Sequence, residues 1–128
     1  LTHETVIALG RQGADVVPHL TCVGATREET LSVDPRSITA GAKEIVALRG
    51  DAPGDGAFEA HPDGFKSSVE LVEALAKEGF HVHVGVYPEP HPDSLGALQD
   101  LSWLKAKVDA GAALGVSQFF FEAETFLR

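Results

Sequence analysis

The sequence predicts an α/β fold built on a parallel sheet. Helical and strand patterns alternate along all 128 residues with no hairpin signal between strands. Glu44-Ile45-Val46-Ala47-Leu48 is a run of mostly apolar residues without alternation, the pattern of a strand covered on both faces. It stops abruptly at Arg49-Gly50-Asp51, followed by Pro53 and Gly54, and the other strand patterns also end in polar groups, at the edge where α/β sheets hold ligands. Four such strands suit a small doubly wound sheet or half of a (β/α)8 TIM-type barrel, whose usual length of roughly 250 residues is about twice this one. A first helix without a start, the absence of methionine and an unfinished last helix favour the half-barrel. Residues 1–128 then read as the central part of one catalytic domain.

Leu1 to Gly10 has the apolar spacing of a helix tail ending near Gly10 or Gly13. Asp15 to Val23 reads as a strand in which Pro18 is tolerable only where its missing donor falls outside the ladder. Thr26 and Glu29 have capping-box spacing, so a helix begins there. Asp34-Pro35 resembles a second N-cap with proline in the first helical position, which predicts a broken or kinked helix. Ala52 to Asp63 is a Gly-, Pro- and Asp-rich loop. Phe65, Val69, Val72 and Ala76 then recur at helical spacing, widened by Leu71 and Leu75 and ended by Gly79.

His81 to Val86 is the third strand, and the prolines of Tyr87-Pro88-Glu89-Pro90-His91-Pro92 fix the segment after it. Ser94 to Ala110 predicts a long helix whose core stripe is Leu98, Leu101, Leu104, the Lys105 stem and Val108, closed by Gly111. A separate stripe of that helix carries Asp100, Trp103 and Lys107. Leu114 to Phe121 reads as another buried strand, and Glu122 to Arg128 begins a helix.

A net charge of −9 disfavours nucleic acid or an anionic membrane surface as partner. No apolar run reaches the ~20 residues of a membrane span. The single cysteine leaves no internal disulfide to form and fits a cytoplasmic setting. Of the six histidines, His81 and His83 share a strand face at its amino end, away from the expected site, and read as structural or solvent-facing. No metal site is expected, because Cys22 has no second thiol, and no Gly-x-Gly-x-x-Gly fingerprint is present.

At the carboxyl ends of the strands stand His19 and Thr21, then Arg49, Gly50 and Asp51, then Tyr87 and His91, then Gln118. A guanidinium fork, a carboxylate, an amide and a flat phenol suit a planar, hydrogen-bond-rich heterocycle. Acyl transfer is not indicated, for want of a nucleophile with a partnered base.

Five segments in order, Pro18 to Cys22, Ile45 to Asp51, Tyr87 to Pro92, Leu104 to Gly111 and Ser117 to Phe121, resemble the successive signatures of the methylenetetrahydrofolate reductase family. The resemblance spans nearly the whole chain. It implies a barrel that binds FAD at its strand carboxyl ends, takes hydride from NADH or NADPH and reduces methylenetetrahydrofolate to methyltetrahydrofolate. It places His19, Arg49, Gly50, Asp51, Tyr87, His91, Ser94, Asp100 and Lys107 against the flavin, with Ser67 and Ser68 matching a flavin-contacting pair by position. Asp51 and Gln118 are implied as the catalytic and folate-binding residues, Gln118 being shared with the nicotinamide. Arg49 and Lys107 would neutralise the diphosphate, and Tyr87 would pack on a flat ring. Trp103 and Ala106 depart from the family pattern, and the family's acidic glutamate belongs to a strand outside this sequence. A homo-oligomer is expected by the same resemblance. The rival readings are a flavin-free folate methyltransferase barrel and a non-catalytic α/β binding module.

Overall fold

The computed structural model describes residues 2–32, 43–51, 58–91 and 94–127. Its elements run α1 (Thr2–Arg11), β1 (His19–Thr21), α2 (Arg27–Leu31), β2 (Glu44–Leu48), α3 (Ser68–Lys77), β3 (His81–Val86), α4 (Ala97–Asp109), β4 (Ala112–Ser117) and α5 (Ala123–Leu127). The kink expected at Pro35 lies outside the described residues.

All four strands are parallel and stand in chain order, β1-β2-β3-β4. A doubly wound sheet reverses its strand order at a switch point, whereas sequential order is that of a barrel wall. Of the two arrangements the sequence left open, the sequential order is consistent with the second. Parallel pairing also fixes that all four carboxyl ends share one edge.

The core forms where one sheet face meets α3. Ile45 and Ala47 of β2 and Val82 and Val84 of β3 cluster with Leu71, Val72 and Leu75 of α3, closed by Phe65 and Cys22. Alternation along the strands then turns Glu44 and Val46, and likewise His81, His83 and Gly85, to the opposite face.

Local chemistry sets the boundaries. The Val46 N–H donates to the Pro18 carbonyl at 2.9 Å, so proline's missing donor falls just outside the ladder. Strand β1 therefore covers only His19–Thr21, less than the expected Asp15–Val23. Thr26 and Glu29 complete the capping box: the Glu29 N–H donates to Thr26 Oγ1 at 3.1 Å, and the Thr26 N–H to Glu29 Oε2 at 2.9 Å. That amide holds the Glu29 carboxyl below its ordinary range. Helices α1 and α3 both end in a paired 6→1 and 5→2 turn, Ala14 to Leu9 with Gly13 to Gly10, and Phe80 to Leu75 with Gly79 to Ala76. The left-handed φ of +83° at Gly13 and +87° at Gly79 is what glycine supplies there.

Two expectations are corrected. In α4 the leucine stripe does not face the core: Leu98 is 86% exposed, and Leu101 and Val108 are exposed too, while Lys105 reaches along the surface to Asp109. The side facing the cavity carries Asp100, Leu104 and Lys107. Among the described residues strand β4 is likewise exposed rather than buried and ends at Ser117, with β3 as its hydrogen-bonded neighbour. Phe119 and Phe121 lie beyond the ladder at 90% and 97% exposure, while Phe120 stacks on Phe126 with centroids 5.2 Å apart. Among the described residues no helix is long and apolar enough to cross a membrane.

Leu75 is fully buried in the central cluster, so Leu75→Ala is expected to destabilise the protein by about 2–5 kcal/mol, the usual cost of such a cavity. Chemical denaturation of the two proteins, compared by their midpoints, checks this.

Candidate functional site

A cavity of about 530 Å³ opens at the carboxyl edge of β2 and β3, between the start of α3 and the inward side of α4. Each wall has a local cause. Strand β2 ends at Arg49, whose guanidinium lies over the Phe58 ring at 4.8 Å. Helix α3 begins at the mouth because Ser67 is its N-cap, its side chain accepting from the Glu70 N–H. Helix α4 is anchored to the segment after β3 by Asp100, whose carboxylate accepts the His91 N–H at 3.2 Å.

The aromatic side of the cavity is a chain of edge-to-face rings. Tyr87 meets His91 with centroids 4.7 Å apart, and His91 meets Trp103 at 6.5 Å. Pro88 and Pro90 line the same wall. Flat faces on rigid backbone suit a planar ligand.

Lys107 occupies the floor. Its ammonium donates to the Gly85 carbonyl at 2.9 Å and sits 5.9 Å from the Tyr87 centroid. Burial pushes its pKa below the ordinary 10.5, and the nearby Asp100 charge offsets part of that. Among the described residues of the cavity lining, Arg49, Lys66 and Lys107 face one carboxylate, Asp100, within a chain of net charge −9. A basic pocket in an acidic protein is an anion site by simple electrostatics.

Arg49, Ser67, Ser68, Tyr87, His91, Asp100 and Lys107 thus meet in one cavity, as do Trp103 and Leu104. Gly50, Asp51, Ser94 and Gln118 lie outside its lining. Gly50 follows β2 with φ +84°, and a Cβ there would come within 2.5 Å of Val23 Cγ1, so only glycine fits the turn that aims Asp51 outward. Ser94 is engaged in the turn before α4, where its hydroxyl donates to the Gly96 carbonyl at 2.9 Å. Gln118 follows β4, its N–H donating to the Val86 carbonyl at 3.0 Å, which brings it to the edge that carries Tyr87. His19 sits lower than expected: it pairs with Val46 in mid-sheet rather than standing at the rim.

Sequence reasoning missed Lys66 and Phe58 as cavity residues. A basic residue immediately before the Ser67 cap was a usable signal, whereas Phe58 in a long loop offered none. Beneath the edge, the Cys22 thiol donates toward the Arg49 carbonyl at 3.5 Å, and burial raises its pKa.

Residues 2–128 match the Methylenetetrahydrofolate reductase family. The chain belongs to that family. It is 42% identical to 5,10-methylenetetrahydrofolate reductase of Pectobacterium carotovorum subsp. carotovorum over 99% of its own length, and 41% and 40% identical to the enzymes of the same name from Salmonella typhimurium and Escherichia coli K12. In each case it spans 42% of the relative. Membership of the methylenetetrahydrofolate reductase family fits a cavity at the carboxyl edge of a parallel sheet.

The position of Lys107 has a pH signature. Well below its folded pKa the ammonium is protonated whether the chain is folded or not, so the cost of burying the charge is present in full. As pH rises toward 10.5 the folded chain releases this proton before the unfolded chain does, and stability rises. Relative to Lys107→Met, the ligand-free wild type is therefore expected to gain stability as pH climbs toward 10.5. Denaturation midpoints of both proteins across alkaline pH check the slope.

Proposed function

We propose that this chain is the cofactor-binding wall of a flavin-dependent 5,10-methylenetetrahydrofolate reductase, a (β/α)8 barrel that draws hydride from NADH or NADPH. The observation that carries the reading is the joining of Arg49, Lys107 and the Tyr87–His91–Trp103 rings in one cavity at the strand carboxyl edge. Family membership supports the reaction.

The residues present suit FAD. Its diphosphate needs cations in a partly dry site, and Lys107, already desolvated, and Arg49 provide them. Ser67 and Ser68 at the start of α3 add a hydroxyl and the helix's free amides. Tyr87 and Trp103 offer faces for planar rings. When bound, the flavin supplies reversible hydride acceptance.

The chain's own groups then divide the remaining work. Asp51, held outward by the Gly50 turn, accepts from the amino groups of the pterin and keeps added negative charge away from the adjoining ring edge. The Gln118 amide both donates and accepts, so it serves the folate and the nicotinamide in turn. Asp100 orients the segment carrying His91 through that residue's N–H. A homo-oligomer and a cytoplasmic location belong to the same reading, the latter resting on the lone cysteine.

In the full-length protein, Lys107→Met is expected to weaken FAD binding by about 10- to 100-fold, the worth of one charge-assisted hydrogen bond. Asp51→Asn is expected to retain FAD while slowing reduction of methylenetetrahydrofolate, with little change in flavin reduction by NAD(P)H. Flavin absorbance and anaerobic rapid-mixing of the two half-reactions measure both effects. A protein that purifies without flavin, takes none up and transfers a methyl group from methyltetrahydrofolate would overturn the reading in favour of the methyltransferase barrel.

A further inference from the structure

At the other end of the sheet, three side chains converge that the reductase reading does not use. His81 and His83 are two residues apart on β3 and leave the same face of the sheet. Parallel register sets Glu44 of β2 directly beside His81. One carboxylate thereby faces two imidazoles: Glu44 Oε1 lies 3.8 Å from His81 Nδ1, and Glu44 Oε2 lies 3.6 Å from His83 Nε2. One ligand atom from each residue falls within 4.8 Å of the other two, and no other trio of His, Cys, Asp and Glu converges in this way among the described residues.

A second observation separates this trio from an ordinary surface ion pair. His83 is 8% exposed, and its Nε2 is buried with no hydrogen-bond partner. That atom points at Glu44 but stands beyond the ~2.7–3.2 Å reach of a hydrogen bond. Buried ring nitrogens are rarely left without a partner. The spacing instead matches two ligands of one ion, since donor atoms about 2.0–2.1 Å from a tetrahedral zinc lie roughly 3.4 Å apart. Small rotations of the exposed His81 ring and of the Glu44 carboxylate close the remaining gap. Two imidazoles and a carboxylate form a donor set for a borderline divalent ion, and the half-exposed side offers water a fourth position.

We propose that Glu44, His81 and His83 bind one divalent transition-metal ion of the zinc type, tying β2 to β3 at their amino ends. The site is structural, because the cavity described above lies at the opposite edge of the sheet. It is independent of the flavin reading. The sequence reads the two histidines as structural or solvent-facing at the strand's amino end; the strand register places Glu44 beside them.

The test is titration of the metal-stripped full-length protein with Zn²⁺ by calorimetry and with Co²⁺ by visible absorption. One equivalent of each ion is expected to bind, with the intense cobalt bands of a four-coordinate nitrogen and oxygen site and a zinc-dependent rise in melting temperature. His83→Gln and Glu44→Gln are each expected to weaken binding at least ~10-fold, which is what the loss of even a supporting partner costs, and to abolish the melting shift. Glu44→Gln keeps the shape of an exposed side chain, so it remains informative where His83→Gln folds poorly. Flavin content should be the same in all folded variants. Absence of stoichiometric binding by the wild type, or equal binding by wild type and Glu44→Gln, overturns the site.

Discussion

Parallel register is the constraint on which everything else in this molecule depends. β2 is held between β1 and β3 with Val46 beside both His19 and His83, and that alignment decides which residues share a level. It brings the ends of β2 and β3 level, so Arg49 and Tyr87 border one cavity. At the other end of the same two strands it sets Glu44 beside His81. A one-residue slip of β2 would turn its side chains to the wrong faces and undo both arrangements and the core together.

The backbone plan was legible because local signals are strong here. The Thr26 and Glu29 pair, the glycines after α1 and α3, and the uniform apolarity of β2 each act within a few residues of chain, and the structure realises each of them. What the sequence could not resolve were choices made at long range. Helix α4 carries two stripes, one rich in leucine and one holding Asp100, Trp103 and Lys107, and nothing local says which meets the sheet. Polar anchors made the choice: Lys107 bonds to the Gly85 carbonyl and Asp100 to the His91 amide.

The candidate site was readable in composition but less so in depth. Arg49, Tyr87, His91, Asp100 and Lys107 line one cavity, while His19, grouped with the rim by its proximity to a strand end, sits in mid-sheet beside Val46. Lys107 holds an ammonium where solvation is poor, with one carbonyl and a nearby carboxylate as compensation. Desolvated cations of this kind bind an incoming anion more strongly than exposed ones.

The buried Cys22 lies directly beneath that pocket, its sulfur turned to the Arg49 carbonyl. It is the only thiol in the chain, and burial keeps it protonated and shielded. Alkylating reagents can therefore reach it only when the β2 end parts from its neighbours. The molecule thus carries its own clock for the breathing of the sheet's carboxyl edge.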